Sequence, residues 1–125
     1  MTASFARMTT MDITIYHNPR CSNSRITLAA IRDAGHEPRI VDYLATPPAR
    51  EELVRMLAAA GLGARDAIRS KESLYTELGL DAEGVSEDAL IDAMLAHPVL
   101  MNRPFVVTPK GVRLCRPPET VHEIL

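Results

Sequence analysis

The sequence contains no tryptophan, and only 4% of its residues are aromatic, so its core must be built from aliphatic side chains and methionine. No apolar run approaches the roughly 20 residues needed to cross a bilayer, and the first residues carry no apolar signal-peptide stretch. A membrane role is therefore excluded and a cytoplasmic location is expected. A large excess of either sign of charge is missing too. A formal charge of −2 gives no basic footprint for nucleic acid, so any positive site must be local. Cysteine is scarce: Cys21 and Cys115 lie far apart in the chain, which excludes a disulfide scaffold and leaves either thiol chemistry or simple burial. No CxxC pair is present, because Ser24 stands where a second cysteine would be needed. A phosphatase-type cysteine loop is excluded as well, since Thr27 occupies the position that its arginine would require.

What the sequence does have is a stretch, His17 to Arg25, placed between two kinds of periodicity. Ile13-Thr14-Ile15-Tyr16 alternates and is rich in β-branched residues, which predicts a first strand over about 12–16. Ile26, Leu28, Ala29 and Ile31, with Arg25, Arg32 and Asp33, predict an amphipathic helix that Gly35 ends. Cys21 then falls just ahead of the first helical turn. Free N–H groups and the positive end of the helix dipole favour negative charge there, whether a thiolate or an oxyanion. The helix start does not suffice alone. Lowering a thiol from about 8.5 to about 6.5 takes roughly 2.7 kcal/mol, and a helix terminus supplies at most about 2 kcal/mol. A second positive or hydrogen-bonding neighbour is required, and His17, Arg20 and Ser24 are the candidates close in sequence.

The 125 residues suffice for one core that removes roughly two-thirds of the unfolded surface from water. Residues 1–10 show no periodicity and are expected to be a disordered leader, with a single domain over 11–125. A second strand is expected from Glu37 to Leu44, which makes a right-handed parallel βαβ unit and an α/β class. Thr46 is expected to cap a helix entered through Pro47 and Pro48 and closed near Gly61. Short helices follow to His97, one of them capped by Ser86. Arg103–Thr108 and Val112–Cys115 predict an antiparallel hairpin across Pro109-Lys110-Gly111, and Pro117-Pro118-Glu119 opens a last short helix. This βαβ, helical block, ββα order is the plan of a thioredoxin-like domain with a mixed four-stranded sheet and a helical insertion, although periodicity alone allows other small α/β folds.

Four motifs, His17-Asn18-Pro19-x-Cys21-x-x-Ser24-Arg25, Tyr43-Leu44-x-Thr46-Pro47-Pro48, Asn102-Arg103-Pro104 and Leu114-Cys115-Arg116-Pro117, together resemble the glutaredoxin-coupled arsenate reductase family. The resemblance runs from about Met11 to the end of the chain. It implies that Cys21 attacks arsenate, that Arg69, Arg103 and Arg116 hold the oxyanion, and that His17 favours the ionised thiol while the Ser24 hydroxyl bonds it. It further implies that glutathione, as reducing co-substrate, and glutaredoxin resolve the adduct, that no cofactor or metal is bound, and that the Arg103–Pro104 bond is cis. Arg20 is an additional charge beside the cysteine.

Each site residue has an ordinary alternative. Cys115, in a strand beside Leu114, is expected to be a core thiol rather than a resolving one, and His36, His97 and His122 are expected to be ordinary. Two other functions remain open at this level. One is a regulator of the same fold that binds RNA polymerase, against which the three arginines argue. The other is a glutathione-linked thiol enzyme whose arginines contact a glutathione carboxylate instead of arsenate.

Overall fold

A computed structural model describes residues 11–125; the leader expected over residues 1–10 lies outside the described residues. The elements run β1 (Thr14–His17), α1 (Ser22–Asp33), β2 (Arg39–Asp42), α2 (Arg50–Ala60), α3 (Ala64–Ala67), α4 (Ser73–Glu77) and α5 (Glu87–Ala96). A 3-10 turn (Pro98–Leu100), β3 (Phe105–Thr108), β4 (Gly111–Leu114) and a 3-10 helix (Pro118–Ile124) complete the chain. The four strands form one mixed sheet in the order β2-β1-β3-β4. β1 pairs parallel with β2, as the strand-helix-strand order requires, and antiparallel with β3, while β3 and β4 form the expected hairpin.

Period-two alternation sends the strand side chains to two faces. Ile13, Ile15 and Val106 pack with Ile31 of α1 and with Cys115, Val121 and Ile124. Tyr16, Phe105 and Val112 face the helical block, against Leu53, Met56, Leu90 and Met94. Helical structure thus covers both faces, and β2 closes one edge as a short strand with Arg39 and Ile40 exposed. Among the described residues no helix is long and apolar enough to cross a membrane.

β2 is shorter than the expected Glu37–Leu44, spanning Arg39–Asp42, and three further elements differ from expectation. α2 begins at Arg50 with Ala49 as N-cap, so Thr46 does not cap it. Pro47 and Pro48 each bias the preceding residue away from helical geometry, which postpones the helix until both are passed. The last helix is of the 3-10 type, and β3 starts at Phe105 rather than Arg103 because Pro104 has no N–H to give the ladder. The Ser86 cap is as expected, its Oγ accepting from the Ala89 N–H at 3.1 Å. Gly61 ends α2 in the left-handed region at φ 72°, where a Cβ would be strained.

One short connection matters most for the site. Ile68 and Met101 form an isolated antiparallel bridge, in which the Arg69 N–H donates to the Leu100 carbonyl at 2.7 Å and the Asn102 N–H to the Ala67 carbonyl at 2.8 Å. This clips the helical insertion to the segment entering β3. Leu100 is fully buried at this clip. Leu100→Ala is expected to cost about 2–5 kcal/mol, read as a lower urea midpoint with an unchanged slope; a shift well below that range would mean the clip rests on its backbone bonds alone.

Candidate active site

Cys21 is the N-cap of α1, with φ −94° and ψ 123°, and no acidic side chain occupies the first turn. The positive end of the helix is therefore left for the thiol. The loop before it is tightly held. The Cys21 N–H donates to the Asn18 carbonyl at 3.0 Å, the Arg20 N–H to Asn18 Oδ1 at 3.0 Å, and Arg25 Nη1 to the Pro19 carbonyl at 2.8 Å. Ser24, fully buried, accepts from the Asn18 N–H at 3.0 Å and pairs through Oγ with His17 Nδ1 at 2.7 Å.

This arrangement redistributes two of the expected roles. The Ser24 hydroxyl is spent on Asn18 and His17 and makes no hydrogen bond to the thiol; the contribution of Ser24 to Cys21 is its backbone N–H. His17 is buried beneath the loop, and desolvation first, then the Arg32 charge, lower its pKa from the ordinary imidazole value. That lowering makes His17 a poorer source of positive charge for a thiolate. Burial pushes the Cys21 thiol up, but the Ser24 N–H, the hydrogen bond and charge of Arg103, and the Asn23 N–H together bring it below the ordinary value. The second neighbour that the energy argument required is thus Arg103, far away in sequence. Arg20 is exposed and makes no side-chain hydrogen bond among the described residues.

The three arginines come from three segments. Arg103 precedes β3 through a cis bond to Pro104, and Arg116 follows β4 with a cis bond to Pro117, which sequence reading did not anticipate. Arg116 Nη1 donates to the Arg103 carbonyl at 3.0 Å and stands 3.9 Å from Cys21 Sγ. Arg69, carried by the clip, approaches Asn102 Oδ1 at 3.5 Å through Nη1. Its Nε lies 3.5 Å from the Glu72 carboxylate but is not aligned for a hydrogen bond, so this buried donor has no partner; Arg103 Nε likewise has none. A cleft of about 350 Å³ is lined by Ile68, Arg69, Ser70, Lys71, Asn102 and Arg116. Its charged lining is wholly cationic. Lys71 and Asn102 were not anticipated as lining residues; the position of Asn102 within the Asn-Arg-Pro motif was the available signal.

A lowered thiol at an open helix start, beside guanidinium groups with donors to spare, is equipped to attack a tetrahedral oxyanion. Among the described residues no three His, Cys, Asp or Glu side chains gather as a metal site. Cys115 is fully buried on the α1 side of the sheet, and desolvation pushes its thiol up to about 12.

Comparison with known proteins gives a consistent set of relatives. The ArsC family profile matches residues 16–124. The chain is 59% identical over 115 residues to the arsenate reductase of Rhizobium meliloti (strain 1021), covering 92% of this chain and 82% of that protein. It is 55% identical over 114 residues to the arsenate reductase of Escherichia coli (strain K12), covering 91% and 81% respectively. The solved structure of the arsenate reductase from Vibrio cholerae superposes with a TM-score of 0.89 at 47% identity, covering 94% of this chain and all of that one. The fold is accordingly thioredoxin-like.

Thiolate reactivity tests the electrostatics. Alkylation by iodoacetamide speeds up as pH rises through the thiol pKa, so a lowered pKa puts the midpoint on the acid side of a free cysteine. Arg103→Ala is expected to move that midpoint upward, and His17→Ala to move it less. A larger shift from the histidine variant would return the charge to His17.

Proposed function

The chain belongs to the ArsC family, and from that premise we propose that it reduces arsenate to arsenite through a Cys21–arsenic adduct resolved by glutathione and glutaredoxin. One observation carries the reading: Cys21, with its thiol lowered by Arg103 and the first-turn N–H groups, faces Arg116 at 3.9 Å beside a cleft with cationic lining.

Attack by the Cys21 sulfur forms an S–As bond and breaks an As–O bond, the oxygen leaving as water. Arg69, Arg103 and Arg116 act as substrate-binding groups that spread the charge of the oxyanion and of the adduct, each guanidinium staying protonated throughout. His17 and Ser24 hold the loop from beneath and so position the nucleophile. Reduction from arsenic(V) to arsenic(III) then takes two electrons from two external thiols, which become a disulfide as arsenite departs and Cys21 is regenerated. Glutathione and glutaredoxin supply those thiols, since Cys115 is buried on the other side of the sheet. The protein works in the cytoplasm, where these reductants are kept reduced.

The same site disfavours an RNA polymerase-binding regulator, which would have no use for converging guanidinium groups. Purified protein with arsenate, glutathione and glutaredoxin is expected to release arsenite, and Cys21→Ser to release none. Arg103→Ala or Arg116→Ala should lower kcat/KM at least roughly ten-fold with the fold intact, whereas Cys115→Ser should stay active. An inactive wild type would sink the reductase reading and leave a glutathione-linked thiol enzyme in its place.

A further inference from the structure

Four buried side-chain polar atoms among the described residues have no hydrogen-bond partner: His36 Nδ1, Tyr43 Oη, Arg69 Nε and Arg103 Nε. His36 lies beyond the far end of α1. The other three all carry a hydrogen to donate; Arg69 Nε has the Glu72 carboxylate 3.5 Å away, whereas Arg103 and Tyr43 both lie within electrostatic reach of Cys21. Buried donors nearly always find an acceptor, so Arg103 Nε and Tyr43 Oη left without one near Cys21 point to an acceptor-rich ligand.

Two of these donors belong to the arginines already described; the third is a phenol with no role so far. The fold places it rigidly. His17 and Asp42 are the last parallel pair of β1 and β2, so Asn18 and Tyr43 leave the sheet side by side. The turn after β2 is fixed by the Asp42 carbonyl, which accepts from Ala45 and Thr46, and by Asp42 Oδ1, which accepts from the Leu44 N–H at 3.1 Å. The Tyr43 ring is 1% exposed, packed in the cluster that includes Ile68, Met101 and Phe105, and these three flank the segments that deliver Arg69 and Arg103. Burial raises the phenol pKa, while Arg103, then the neighbouring Asn18 amide, then Arg69 lower it and the Cys21 charge raises it. The hydroxyl thus sits in the field of the same groups that surround the thiol. Asn18 is close enough to be felt but makes no well-formed hydrogen bond with it, and Asn18 Oδ1 is occupied by the Arg20 N–H.

We propose that Tyr43 is a fourth oxyanion donor, its O–H reaching an oxygen of the arsenate held at Cys21 by Arg69, Arg103 and Arg116. This rests on the reductase reading above. A neutral donor suits the position: it bonds an anion without adding to the mutual repulsion of the guanidinium groups, and its site is too dry for another full charge.

Tyr43→Phe removes the hydroxyl and keeps the ring. Two measurements on the full chain decide the matter: the arsenate concentration that half-protects Cys21 from alkylation, and the melting temperature without arsenate. Protection in the variant is expected to need about ten-fold more arsenate or higher, while the melting temperature is no lower than in wild type, since a buried hydroxyl without a partner contributes nothing to the free fold. An unchanged protection midpoint overturns the proposal. So does a lower melting temperature, which would make the hydroxyl a structural group held through Asn18. Wild type that arsenate fails to protect would overturn the reductase reading itself, and this inference with it.

Discussion

In the proposed reaction a thiolate must meet an oxyanion that repels it, in a chain whose net charge is itself negative. Two unit charges 4 Å apart interact by about 4 kcal/mol at an effective dielectric constant near 20. Local cations must offset at least that much. The loop's own sequence supplies little of this: desolvation lowers the His17 pKa, and the Arg25 guanidinium donates to the Pro19 carbonyl. The sheet supplies them. β1 and β2, being parallel, finish at the same end of the sheet; β3, antiparallel to β1, begins there; β4, antiparallel to β3, finishes there. Cys21, Tyr43, Arg103 and Arg116 all follow or precede strands at that one end, brought together by strand direction. Arg69 has no strand of its own and arrives by the two-residue clip to Met101.

The buried layer beneath the loop sets the geometry. Ser24 Oγ accepts from the Asn18 N–H and pairs with His17, so one fully buried hydroxyl ties β1, the loop and the first turn of α1 together. Fixing the loop this way leaves the first-turn N–H groups directed at the sulfur rather than at a capping carboxylate. The thiolate is stabilised by neutral backbone N–H donors whose polarity does not change with pH, and by a guanidinium that never loses its proton. A histidine would have tied the nucleophile to its own titration.

Much of this was legible in the sequence, for physical reasons. Alternation over Ile13–Tyr16 and helical spacing after Cys21 are local signals, so the position of Cys21 at a helix start could be read directly, as could the hairpin and the α/β order. The burial of Cys115 followed from its strand neighbours. What could not be read depends on contacts between distant segments. Whether Ser24 offers its hydroxyl or its N–H is decided by a buried rotamer, not by spacing. The sign of the His17 effect depends on desolvation under α1. The bridge that carries Arg69 is too short to leave a strand pattern, and the delayed start of α2 reflects two successive prolines rather than the threonine before them. Tyr43 stood in a matched motif, yet nothing in its sequence neighbourhood distinguishes an ordinary core tyrosine from one whose buried hydroxyl is left without a partner.

The two cysteines complete the logic of the site. They lie on opposite sides of one functional decision: Cys21 is partly exposed and lowered, while Cys115 is sealed in the core and raised to about 12. A second thiol in reach could resolve the adduct by closing an internal disulfide, which external thiols would then have to reduce, but the core that holds Cys115 keeps it out of reach. The reducing equivalents must therefore enter across the surface. Arg116 and Lys71, both exposed at the cleft, leave that approach open and positively charged, which suits a reductant that carries carboxylates. A closed pocket would bind the oxyanion more tightly and exclude the thiol that must finish the reaction; an open cationic edge gives up some of that tightness to admit it.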